Sequence, residues 1–179
     1  MKFLPLEDGV THINIYTKAE TELGRRLSNM FESSTILSYH LDTVPFKTLE
    51  GYWYFLVIKL STNDEVYELQ TTNGFQSKSL GKKYITKFNI DYSTVVNSNT
   101  FKEMFSNAIR SKIVQDKKLI KLLVESDLPF THYYYYGDKL NPKVINANNH
   151  PWMIDVINTA RIKLKEIKKR KINSESKSN

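Results

Sequence analysis

The sequence predicts an α+β fold in which helices predominate over a small sheet. Three observations carry this. Apolar residues recur at helical spacing through much of the second half. Short alternating or aromatic runs bounded by Gly or Pro read as a few strands. The 179 residues are 40% hydrophobic and 12% aromatic, enough to build a real core.

In chain order, His12-Ile13-Asn14-Ile15-Tyr16 alternates as a strand does, and Gly24 with Arg25-Arg26 reads as a loop before Leu27. Residues 36–47 read as short strand or loop, interrupted by Pro45. The apolar stretch 52–60 fits a strand by composition, or a helix capped by Thr48 and starting near Glu50. Ser77-Lys78-Ser79-Leu80-Gly81-Lys82 reads as a Lys/Gly turn. Thr100-Phe101-Lys102-Glu103 has capping-box form, and Phe101, Met104, Phe105, Ala108, Ile109 and Ile113 follow on one helical face. Leu119 to Leu123 give a further short helix, stopped by Leu128-Pro129. Residues 131–136 form a strand turned by Gly137-Asp138, with 143–146 as its partner. Pro151 opens a final helix whose Met153, Val156, Ile157, Ala160, Leu164 and Ile167 share a face. No internal repeat or linker is visible, so one domain is expected over 1–165, followed by a basic, disordered tail over 166–179.

The net charge of +7 is local. Residues 161–179 hold eight Lys/Arg against two Glu, and the other 160 residues hold 18 against 17. A basic stripe can hold a polyanion such as DNA through its phosphates; the plain alternative is a solvated helix end. With no cysteine, disulfides and thiolate chemistry are excluded. No apolar run is long enough for a bilayer and no signal peptide is apparent, so a cytoplasmic protein without membrane partners is expected.

Several chemistries are disfavoured. His12, His40, His132 and His150 show no metal-ligand pairing, so no metal is expected. The six glycines form no phosphate-binding loop, no acyl-transfer elbow exists, and no cofactor is expected. What remains is a carboxylate beside aromatic rings. Glu50 stands at the threshold of the most apolar segment, where burial would raise its pKa; otherwise it is a Glu favoured by the dipole of a first helical turn. Lys78 and Lys82 flank Leu80-Gly81 and are candidate site residues, or simply solvated. Ser28-Asn29 could hold a sugar hydroxyl or stabilise a turn. Tyr54, Tyr136 and Trp152 are candidate walls for a nucleobase, or core.

Taken in order, these segments resemble the NADAR (YbiA-like) family. That family has an N-terminal strand, a Ser-Asn-Phe turn, a Ser-Glu-x-Tyr/Phe-Phe-Gln helix, an Ala-Lys-x-x-Gly-Arg segment, an Ala-Leu-Arg-x-Lys-Phe helix and an aromatic-Gly-Asp turn. Here the series runs through Leu27-Ser28-Asn29-Met30, Leu49-Glu50-Gly51-Tyr52-Trp53-Tyr54, Ser77 to Lys82, Ala108-Ile109-Arg110-Ser111-Lys112-Ile113 and Tyr136-Gly137-Asp138. Met30 stands for the usual Phe, Lys82 for Arg, and Asn97 where a Trp is often found; the pattern is closer to the phage-type branch.

The resemblance implies a NADAR-like fold and cleavage of an N-glycosidic bond. The substrate it implies is ADP-ribose on guanine in DNA or a phosphorylated riboflavin-pathway intermediate. On this reading Glu50, Lys78 and Asp138 are catalytic. Ser28, Asn29, Tyr54, Gly81, Lys82, Tyr136 and Trp152 contact substrate. A non-catalytic ADP-ribose or NAD reader and a plain DNA-binding protein are the rival classes.

Overall fold

A computed structural model describes the chain apart from residues 1–2, 34–35, 40–41, 148 and 176–179, and gives only the backbone for 36–39 and 42–44. Along it run β1 (Ile13–Asn14), α1 (Glu22–Leu27), β2 (Ile36–Tyr39), β3 (Asp42–Pro45), α2 (Leu49–Thr62), α3 (Gly74–Lys87), α4 (Tyr92–Asn97), α5 (Asn99–Gln115), α6 (Lys117–Glu125), β4 (Phe130–Thr131), β5 (Tyr133–Tyr136), β6 (Lys143–Asn146) and α7 (Pro151–Glu175). The mainly helical α+β class is borne out: among the described residues the strands form only two-stranded sheets. The chain divides into two compact units, Ser28–Gln115 and Met1–Leu27 with Asp116–Asn179.

The core of the Ser28–Gln115 unit is the apolar stretch whose secondary structure composition left open. It is helix α2, capped by the Thr48 side chain, which accepts from Gly51 N. Tyr52 to Ile58 are all buried because α2 is surrounded by its neighbours, so no single apolar stripe is needed. Rings from α2 and α5 interlock: Trp53 meets Phe101 and Phe105 edge-on at 4.7 and 4.8 Å.

Two expectations fail here for local reasons. Residues 77–82 are not a turn but the middle of α3, which starts from a reciprocal capping box between Asn73 and Gln76. The cap of α5 is Ser98, whose Oγ accepts from Phe101 N, and not Thr100, which already lies in the helix. β2 and β3 pair antiparallel from Ile36–Pro45 to Tyr39–Asp42, so Pro45 sits at a strand end where its missing N–H is harmless.

In the other unit β1 pairs in parallel with β4, and β5 with β6 antiparallel, Tyr133 opposite Asn146 and Tyr136 opposite Lys143. Gly137 takes φ +82° at the turn, as the hairpin reading requires. The strand read over 131–136 is divided at His132, and the buried Asn14 side chain mends the gap. Its amide donates to Tyr133 O and its carbonyl accepts from Tyr133 N.

Gly24 is inside α1, not in a loop; a Cβ there would stand 2.2 Å from Asn14 O. α7 runs on to Glu175, well past Arg161, since no Gly or Pro interrupts 152–175 and Lys, Arg, Leu and Glu favour helix. The tail expected from 166 is therefore helical as far as Glu175, and 176–179 lie outside the described residues. Ile167 is exposed, so the packed face of α7 ends near Leu164.

Candidate functional site

Three elements of the Ser28–Gln115 unit converge on Glu50. The first is the turn after Leu27, in which Ser28 Oγ accepts from Met30 N and Phe31 N donates to Ser28 O. The second is the N-terminus of α2. Its leading amides have no helical partners and must find others. Glu50 N donates to Asn29 O at 2.9 Å, and Gly51 N to Thr48 Oγ1 at 3.0 Å. The third is α3, which presents Lys78 and Lys82 one turn apart.

Glycines let these elements approach. A Cβ on Gly51 would stand 2.3 Å from Leu69 O; on Gly74, 2.6 Å from Met30 Cα; on Gly81, 2.1 Å from Tyr54 Cγ. Gly74 therefore seats α3 on the turn that bears Asn29. Gly81 seats α3 on the α2 ring that lies one turn beyond Glu50.

Glu50 is partly exposed yet recessed. Burial pushes its carboxyl above the ordinary glutamate range. The Lys78 charge, a hydrogen bond from the Asn29 side chain and, last, the Lys82 charge pull it back. Beyond it lies a pair that sequence reasoning missed. Trp53 Nε1 donates to Tyr92 Oη at 2.9 Å, and burial followed by the Glu50 charge raises the Tyr92 phenol. The indole hydrogen bond opposes this rise, and the phenol's own O–H is not used in it. No residue pattern around Tyr92 announces this.

Lys112 is a second omission. It is 4% exposed, its Nζ donates to Ser28 O at 3.0 Å, and it lies 5.5 Å from the Phe31 ring centroid. A lysine on the apolar face of α5, between Ile109 and Ile113, was the available signal. It fastens the Ser28–Asn29 turn to α5.

Of the expected site residues, Asn29, Glu50, Lys78 and Lys82 come together around one carboxyl. Ser28 is buried and holds the turn. Tyr54 is 5% exposed with its ring against Gly81, so this pair sets the spacing of α2 and α3 and offers no open ring face.

Tyr136, Asp138 and Trp152 belong to the other unit. Tyr136 is exposed at the end of β5, and the exposed Asp138 uses Oδ1 to accept from Leu140 N within its turn. Trp152, in the first turn of α7, is half-buried with its ring 6.3 Å from His150. Among the described residues no cluster of His, Asp or Glu is arranged to hold a metal ion, and no helix is long and apolar enough to cross a membrane. No protein-family model, curated protein or solved structure matches this chain.

Proposed function

We propose that the chain is an N-glycosidase that removes ADP-ribose from a guanine base in DNA, acting through Glu50. The observation that carries this reading is the recessed Glu50 carboxyl, held by the Asn29 amide and faced by Lys78 and Lys82. Breaking an N-glycosidic bond develops positive charge on the anomeric carbon and its ring oxygen. A preorganised carboxylate in a poorly solvated recess stabilises that charge more than water does. A lysine pair beside it suits the pyrophosphate of ADP-ribose, and the Asn29 amide, with one donor on Glu50, has another for a ribose oxygen. The ordered resemblance to NADAR proteins supports the same reaction class and the choice of ADP-ribosyl-guanine.

Incubating the protein and its Glu50→Gln variant with guanine-ADP-ribosylated single-stranded DNA tests the reading by ADP-ribose release. Release by the wild type, lost in Glu50→Gln by at least about 100-fold, is expected. Equal release by both removes Glu50 from the chemistry. Binding without release by either protein makes the site a reader of ADP-ribose. Release only from phosphorylated riboflavin intermediates moves the substrate to a small molecule.

A further inference from the structure

The distal half of α7 has no part in the Glu50 site, yet it carries most of the net charge of the chain. Two cations near the middle of α7 are already engaged. Arg161 donates to Leu128 O at 2.6 Å and lies over the Phe130 ring, while Lys165 donates to Ser126 O at 3.0 Å and pairs with Asp127. Every residue from Glu166 to Glu175 is exposed. Lys163, Lys168, Lys169, Arg170 and Lys171 are exposed and make no ion pair among the described residues.

The distribution of these five cations around the helix identifies the partner. At about 100° per residue, they fall at roughly 0°, 140°, 240°, 340° and 80° when Lys163 is set to zero. The exposed Ile162, Ile167 and Ile172 fall between them, at roughly 260°, 40° and 180° on the same scale. A helix that lies on a lipid surface gathers its apolar residues on one side and its cations on the other. This one does neither. Cations on every side suit a helix that enters a groove with phosphates on both flanks. The B-DNA major groove, about 12 Å wide, admits an α-helix, whereas the A-form RNA major groove is too narrow.

We infer that the distal half of α7 is a duplex-DNA-binding element, seated in the major groove and held by phosphate contacts of Lys163, Lys168, Lys169, Arg170 and Lys171. The contacts are to the backbone, so binding is independent of base sequence. This inference does not rest on the reaction assigned to Glu50.

Fluorescence anisotropy of the full chain with an unmodified, fluorescein-labelled mixed-sequence DNA duplex tests it. Five neutralised phosphates predict a slope of log K against log salt of about −4.5, an affinity loss of about 500-fold between 50 and 200 mM salt. Replacing Lys168, Lys169, Arg170 and Lys171 by Gln preserves helix propensity and leaves Lys163, so the slope falls to about −1. Circular dichroism confirms that the variant keeps its helix. Glu50→Gln binds as the wild type does, so loss of the glycosidase activity and loss of this surface are separately visible. An unchanged slope in the quadruple variant overturns the proposal. So does equal affinity for an A-form RNA duplex, or binding to vesicles with 30% phosphatidylserine in place of DNA.

Discussion

Asn29 is joined to Glu50 by both its backbone and its side chain: its carbonyl accepts the Glu50 amide at 2.9 Å, and its side chain hydrogen-bonds the Glu50 carboxyl. The first link caps a helix and the second sets a charge. One residue thus ties the start of α2 to the electrostatics of the candidate site.

The two links separate by mutation. Asn29→Ala keeps the carbonyl and removes only the amide donor. In the proposed reaction it lowers kcat/KM by about 10- to 100-fold, the worth of one hydrogen bond to a charged group. Both the Asn29 amide and Lys78 hold the Glu50 pKa down. Asn29→Ala and Lys78→Gln therefore both shift the acid limb of the pH–rate profile upward, as the ionised carboxylate becomes harder to form. A limb that stays fixed in both variants would show that Glu50 does not titrate in the rate-determining state.

Burial of Glu50 also has a stability cost with a definite sign. Its folded pKa lies above the unfolded value of 4.5, so its contribution is fully favourable below pH 4.5 and is lost as pH rises through the folded pKa. Glu50→Gln removes this titration. The variant melts a few degrees above the wild type at neutral pH, and the gap closes as the pH approaches 4.5. Calorimetry across this range checks both the sign and the convergence.

Gly81 is a packing requirement, tested by a double-mutant cycle. Ala favours helix over Gly by about 1 kcal/mol, but the added Cβ would fall on the Tyr54 ring. Gly81→Ala therefore destabilises by about 3 kcal/mol in urea unfolding. In a Tyr54→Ala background the same substitution costs less, since the ring is gone, although the remaining Cβ of residue 54 still stands 2.6 Å from the added one. Additivity of the two changes would separate Gly81 from Tyr54.

Much of this arrangement is legible in the sequence. The helices of the second half, the hairpin around Gly137 and the grouping of Asn29, Glu50 and Lys78 follow from periodicity, turn chemistry and ordered motifs. Residues 77–82 mislead because Ser, Gly and Lys are also what a turn contains; the overlooked cue was Asn73 followed three residues later by Gln76. Gly24 and Gly81 mislead in the same way. Each sits in a helix because a neighbour occupies the space of a Cβ, and that neighbour is 10 or 27 residues away in sequence. Tyr92 is beyond sequence reasoning, since its role comes from the Trp53 indole and from the charge of Glu50.

His12 gives the other unit a pH response of its own. It is fully buried, with Nε2 2.9 Å from the Tyr133 hydroxyl and Nδ1 3.0 Å from Thr11 Oγ1. Burial lowers its pKa below 6.5, although the charges of Asp8 and Glu7 oppose the shift. The neutral ring is thus the folded form. Its contribution is complete above pH 6.5 and is lost as pH falls toward the folded pKa, because the unfolded chain takes up the proton first. Between pH 7 and pH 5 the His12 loss lowers the urea midpoint of the wild type, against the gain from Glu50. His12→Gln retains a donor and an acceptor but does not titrate, so its midpoint should fall less over that range. Its stability at pH 7 should be lower by about 1–3 kcal/mol, since an amide cannot fill the ring's place between Phe3, 4.8 Å away, and Tyr133. Equal pH slopes in the two proteins would assign the acid sensitivity to other groups.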